Sequence, residues 1–280
     1  MSGVNFKKDG VVRYSLPRYL YKYRSLATSD DVKHAAEIFE DHTLYLATVE
    51  TYNDPFECRF EFNFRAFDWI KIRKFAAVIQ GKYPGISPEE AKEEARKLIL
   101  GPPRPPTRSM EQTVSAGMVD RVRKEMGVLS LTKKRDPILM WSHYADKHRG
   151  ICLQFDTSVS EATSVLRGAM PVRYRKRIPV LRYFRLSTKL DVDMAYDTAA
   201  RKSQVWKYEN EWRIIKVDAP RTKVAFPPRA LSGVILGKEI SQENKDLVRG
   251  WVATQGHPVT VHQADLHPRK YSLTFTPLGV

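Results

Sequence analysis

At 280 residues, with 42% hydrophobic and 11% aromatic residues, the chain has material for one large or two small packed domains. No apolar run approaches the ~18 residues of a membrane span, and the opening MSGVNFKKDG lacks the apolar segment of a signal peptide. Two cysteines, Cys58 and Cys152, supply no disulfide framework, so a reducing, cytoplasmic setting is expected. The formal net charge of +15 points to polyanionic partners, whether RNA, DNA or an acidic protein, and says nothing about fold.

In chain order, RYLYKYRSL (18–26), TSDDVKHAAEIFED (28–41) and TLYLATV (43–49) read as strand, helix and strand. Ser29 or Asp30 is positioned to cap the helix, whose apolar stripe is Val32, Ala35, Ala36 and Phe39. TYNDPFECRFEF follows, with a turn at Asn53, Asp54 and Pro55 leading into an extended stretch. Asp54 and Glu57 also admit a metal or acid-base reading, although the turn is the more economical explanation.

From 67 to 126 the composition becomes that of charged helices. SPEEAKEEARKLIL carries its own start signal, with Ser87 as cap, Pro88 in the first turn and Glu90 closing the capping box. GPPRPPT (101–107) reads as a stiff spacer. Because this region has little apolar surface of its own, it is expected to be a helical insertion within a single domain spanning 1–280.

GVLSLTKKRD then reads as a short strand, and Asp136, Pro137 and Gly150 bracket a helix of about three turns. Trp141 and Tyr144 share one side of it with Ile138, Ala145 and His148, as a core face or as a wall of a binding cleft. ICLQFD is an alternating strand. The basic segment from Val172 to Arg185 offers Arg173, Arg175, Lys176 and Arg177 to phosphates, with Tyr174, Tyr183 and Phe184 for stacking on bases; a solvated strand pair is the plainer alternative. A helix around 192–205 precedes VWKYENEWRIIKV. The tail contains LSGVILG, a helix near 241–254 and HPVTVHQADL, in the order strand, helix, strand.

If VWKYENEWRIIKV is a strand from Val205 to Val217, Glu209, Glu211 and Arg213 share one face, opposite Trp206, Tyr208, Asn210, Trp212 and Ile214. Two like charges so placed are either an exposed face, with Arg213 and nearby lysines compensating, or a functional pair. His257, His262 and His267 lack metal-ligand spacing, so no metal is expected. No Gly-rich phosphate loop is present, and neither cysteine has a cue for nucleophilic activation.

Taken together, YKYRS, LYLATVETYNDPFE, LSLTKKRDPILMWSHYADKHRGICLQFD, KYENEWR and LSGVILG resemble the uncharacterised, mostly bacterial family known as domain of unknown function 2971. Their order is also similar to that of the ADP-ribosyltransferase fold, in its arginine, serine, glutamate branch. That resemblance implies an α+β fold with a split mixed β-sheet core and NAD bound as substrate. Arg24 matches the arginine, Ser130 and Thr132 the serine motif, and Glu209 and Glu211 the paired glutamates. SLT departs from the full serine-threonine-serine pattern.

On this reading Glu211 holds the ribose 2′-hydroxyl as positive charge grows on the sugar, and Glu209, ~7 Å along the strand, takes the proton of the attacking acceptor. Arg24 holds the diphosphate or its ribose, Trp141 or Tyr144 lines a ring site, and Ser130 and Thr132 support Glu211. Asn53, Asp54, Glu57 and Arg213 are further cleft candidates. The expected function is NAD-dependent ADP-ribosyl transfer to a macromolecule, nucleic acid among the candidates. The resemblance also implies a toxin or phage-defence role. A non-catalytic nucleic-acid-binding protein and an NAD glycohydrolase are the alternatives.

Overall fold

The computed structural model describes residues 6–8, 11–63, 65–101, 108–159, 164–182 and 190–279. The opening segment forms β1 (Tyr19–Arg24), α1 (Ser29–Glu40) and β2 (Thr43–Thr48). Thr28, rather than Ser29 or Asp30, caps α1. Its extended backbone lets its hydroxyl accept from the Asp31 N–H while the Asp31 carboxylate accepts from the Thr28 N–H.

The region 67–126 folds into α2 (Asp68–Lys82), α3 (Pro88–Leu100) and α4 (Arg108–Glu125). The Ser87 and Glu90 capping box is formed as the sequence predicts. α2 and α3 pack on each other around Ile72, Ala76, Ala91 and Ala95, a small core of their own. Of the GPPRPPT spacer, 102–107 lie outside the described residues.

The remaining α-helices and the other strands of the main sheet are β3 (Met126–Thr132), α5 (Ile138–Tyr144), β4 (Ile151–Asp156), β5 (Met170–Pro171), α6 (Leu190–Ala199), β6 (Glu211–Val217), β7 (Thr222–Ala225), β8 (Leu231–Leu236), α7 (Gln242–Ala253), β9 (Thr260–Leu266) and β10 (Leu273–Leu278). α5 is shorter than predicted. Pro137 occupies the cap, and after Ala145 three consecutive residues, Asp146, Lys147 and His148, have φ of 44°, 52° and 70°. That left-handed run cannot continue a right-handed helix. The helix expected at 192–205 ends at Ala199 and gives way to a short strand, Arg201–Ser203, parallel to Arg173–Arg175.

Ten strands form one mixed sheet, in the order β7-β2-β3-β1-β4-β8-β9-β10, with β6 along the whole of β3 and β5 beyond it. All these pairs are antiparallel except β8 with β9. The fold is therefore α+β.

The sheet forks at β3, which pairs with β2 through Gly127 and Val128 and with β1 only through Thr132, opposite Tyr21. In the gap between those points the Lys22 Nζ donates to the Ser130 carbonyl at 3.1 Å, supplying a partner that a continuous ladder would have provided. Burial and the neighbouring Arg24 charge lower the Lys22 ammonium well below its ordinary pKa.

Strand alternation then separates two cores. One face presents Leu20, Leu129, Leu131, Leu153 and Ile214 to α1 and α7, whose Phe39 and Trp251 rings stack at 5.3 Å. The other carries Val128 and Ile215 beneath α4 and α6, and Tyr21, Tyr23 and Cys152 beneath the α5 residue Trp141. No helix among the described residues is long and apolar enough to cross a membrane.

Candidate functional site

On this second face five charged side chains meet in the interior: Glu57, Lys202, Glu209, Glu211 and Arg213, each buried. β6 supplies Glu211 and Arg213, which its alternation places on one side; Arg213 is fully enclosed, at 0% exposure. The Arg213 guanidinium forks between two carboxylates, donating to Glu57 at 2.6 and 2.8 Å and to Glu211 at 2.7 and 2.9 Å, and its Nη1 also donates to the Ala199 carbonyl. Lys202, from the short strand after α6, donates to Glu209 at 2.6 Å and to Glu211 at 3.1 Å and lies 3.4 Å from Glu57. Three carboxylates thus face two cations, leaving one negative charge in excess inside the protein.

That imbalance divides the glutamates. Burial raises the Glu211 pKa, but the Arg213 and Lys202 charges outweigh it and bring this carboxyl down to about 2. Burial, with the Glu211 charge, pushes Glu209 up, against the pull of Lys202 and a hydrogen bond from Tyr144. The fixed anion is Glu211, and the readily protonated member is Glu209.

The route by which Glu209 arrives differs from the predicted strand. Gln204–Glu209 is a 3-10 turn, Asn210 is left-handed at φ 45°, and the strand begins only at Glu211. Asn210 tolerates that conformation because its short amide bonds locally, here with Nδ2 donating to the Tyr208 carbonyl. Trp206 and Tyr208 are half-buried above the cluster and outside the main core, with the Trp206 ring 5.1 Å from the Lys202 Nζ. Trp212 is buried with Ile214, as alternation requires.

Of the other predicted residues, several assemble here. The Tyr144 hydroxyl donates to Glu209 at 2.7 Å, and its surroundings include the Asn53 side chain. The Thr132 hydroxyl donates to the Glu209 carbonyl at 2.5 Å. Ser130 pairs with the Tyr52 hydroxyl at 3.0 Å and also lies within hydrogen-bonding reach of Glu211. Asp54 Oδ1 accepts from the Phe56 N–H, so it shapes the turn that delivers Glu57.

Others do not join. Tyr21 pairs directly with Thr132, so Arg24, three residues on, projects from the opposite face of the sheet, within the field of Asp31 and Glu37 on α1. The diphosphate role assigned to Arg24 beside Glu211 is corrected on that geometry. Trp141 is a core residue at 0% exposure, edge-on to Tyr23, with its Nε1 donating to the Arg135 carbonyl.

In the basic segment, Arg173 is held by Asp197, whereas Arg175, Lys176 and Arg177 are exposed. Tyr174 does not stand free for stacking: its hydroxyl accepts the Glu211 N–H at 2.8 Å. Tyr183 and Phe184 lie outside the described residues. Two members of the site were not foreseen. Lys202 was hidden inside a predicted helix, and Tyr52, just before the predicted turn at Asn53, carried no cue of its own. Among the described residues no group of three His, Cys, Asp or Glu side chains is placed to hold a metal ion.

Fold and site together define an α+β chain with a buried carboxylate–cation cluster beside a sheet fork. Residues 140–214, which include Tyr144, Lys202, Glu209, Glu211 and Arg213, match the family described as Protein of unknown function (DUF2971). The resemblance to that family thus holds over this segment. No curated protein and no solved structure matches the chain.

Proposed function

We propose that the cluster is the catalytic centre of an ADP-ribosyltransferase-like enzyme that cleaves NAD and passes ADP-ribose to a macromolecule. The observation that carries this reading is the divergence of Glu209 and Glu211, adjacent in space and shifted in opposite directions. Pairs pushed apart in this way divide the acid-base and electrostatic roles between them. Glu211, ionised, opposes the positive charge that grows on the ribose as the bond to nicotinamide breaks, and nicotinamide leaves with the bonding pair. Glu209, made more basic by burial and the Glu211 charge, takes the proton of the attacking acceptor. Tyr144 aligns it. β3 lies between β6, paired along its whole length, and β1, paired at Thr132, so Ser130 and Thr132 stand beside Glu211 and Glu209.

The decisive experiment incubates the protein with adenine-labelled NAD, alone and with RNA, DNA or protein, and follows free nicotinamide and label on macromolecules. Nicotinamide release with macromolecular label, abolished by Glu209→Gln in a folded protein, is the expected outcome. Label-free ADP-ribose marks an NAD glycohydrolase instead. No turnover by a folded protein overturns the catalytic reading.

A second reading, a non-catalytic polyanion-binding protein, is favoured by exposed Arg175, Lys176 and Arg177 beside Tyr174 and by the net charge of +15. It requires nucleic-acid binding that weakens steeply with salt and is lost when those three residues are neutralised.

A further inference from the structure

We propose that the groove along the α2–α3 hairpin is a docking site for an acidic amphipathic helix of a protein partner. The hairpin is joined by its own small core and packs on no other described element to a comparable extent, so the groove side of the helix pair is covered by no other element among the described residues. That side holds a groove of about 510 Å³. Its floor is small and apolar, at Ala76 and Ala77, and Trp69, 61% exposed, stands at one end. Antiparallel helices with an alanine floor admit the apolar ridge of a third helix, in the helix-in-groove mode.

Charge selects the occupant. Arg73 on α2 and Lys92 and Arg96 on α3 line the groove; Arg96 also reaches the exposed Glu93 at 3.4 Å, a weak surface pair, and no carboxylate lines the groove itself among the described residues. Lys92 and Arg96 are one turn apart, ~6 Å along the axis, a spacing matched by glutamates four apart on a facing helix. A second copy of this chain would bring the same three cations into register and be repelled. A single nucleic-acid strand is disfavoured because among the described residues the groove offers one aromatic ring, Trp69, and Arg73 already lies over it at 5.6 Å. An apolar ridge flanked by glutamates satisfies floor and rim together.

The probe is a fluorescently labelled designed peptide of about sixteen residues, helical, with leucines on one face and glutamates flanking them. Its anisotropy is followed on titration with the full chain. Controls are the same peptide with lysines in place of the glutamates, and an oligo-dT strand. The acidic peptide binds, and the lysine peptide does not. Ala77→Glu, which fills the floor, and Lys92→Glu, on the rim, each weaken binding about tenfold or more. Val78→Glu, at an exposed site on the far side of α2, leaves it unchanged. Circular dichroism confirms that each variant is folded. The proposal is overturned by failure of the acidic peptide to bind, by equal binding of the lysine peptide, or by indifference to Lys92→Glu. Tighter oligo-dT binding lost through the same substitutions overturns it in favour of nucleic acid.

Discussion

Glu57 and Arg213, 156 residues apart in sequence, meet in the interior through two hydrogen bonds of 2.6 and 2.8 Å. The pair ties the turn after β2 to the middle of β6, and so exists only once the sheet has assembled. Its partners show why a buried ion pair survives here: the Arg213 donors are spread over Glu57, Glu211 and the Ala199 carbonyl, so the cost of desolvation is offset by several charge-assisted bonds.

The excess of one carboxylate over the cations ranks the substitutions. Arg213→Met leaves three carboxylates with Lys202 alone and is expected to cost ~3–5 kcal/mol. Glu209→Gln removes the carboxylate that already tends to protonate and restores charge balance, so its cost is expected to stay below ~1 kcal/mol. Urea unfolding of the two variants measures both; equal losses would show that Glu209 is not the carboxyl that gives way.

The two shifts also set opposite pH dependences. Glu211 is depressed in the folded state, so its contribution is complete above the unfolded value of ~4.3 and is lost as pH falls toward about 2. Glu209 is raised, so its contribution is present below ~4.3 and is lost as pH rises through its folded value. Glu209→Gln should therefore gain on the wild type as pH is raised from 4 to 7, when the difference in unfolding midpoint is followed. A constant difference would place the raised carboxyl elsewhere.

What the sequence made legible was local. The Ser87 box and the strand at 126–132 follow from spacing within a few residues, whereas Glu209 reaches Glu211 by a turn that alternation does not describe. Lys202 was missed because its role depends on α6 stopping at Ala199, and no strong breaker marks that point. Arg24 was misplaced for a different reason. Its face is decided by the register of Tyr21 on Thr132, and a shift by one residue would reverse it. The left-handed Asn210 likewise breaks an alternation that periodicity alone would continue.

Close backbone approach gives a prediction independent of charge. A Cβ added at Gly150 would lie 2.1 Å from the Arg24 carbonyl oxygen and 3.1 Å from the Ala145 Cα. Both neighbours are backbone and cannot swing aside. Gly150→Ala is therefore expected to cost more than ~2 kcal/mol and to lower the melting temperature by several degrees, whereas Gly81→Ala, with open space around it, should leave that temperature unchanged or raise it.

Tyr144 offers the sharpest separation of catalysis from structure, because its hydroxyl touches only the proton-accepting side of the cluster. The phenol donates to Glu209 at 2.7 Å, and burial, with the Glu209 charge, raises its own pKa, so it remains a donor throughout the working pH range. Tyr144→Phe removes one stabilising bond from the ionised Glu209 and raises that carboxyl further. Stability should fall by only ~1 kcal/mol, since the ring is half-buried and its shape is kept. If Glu209 takes the acceptor's proton, the acidic limb of the rate profile for NAD cleavage must move to higher pH. A lower rate with an unmoved limb would leave Tyr144 a packing residue and assign the proton to another group.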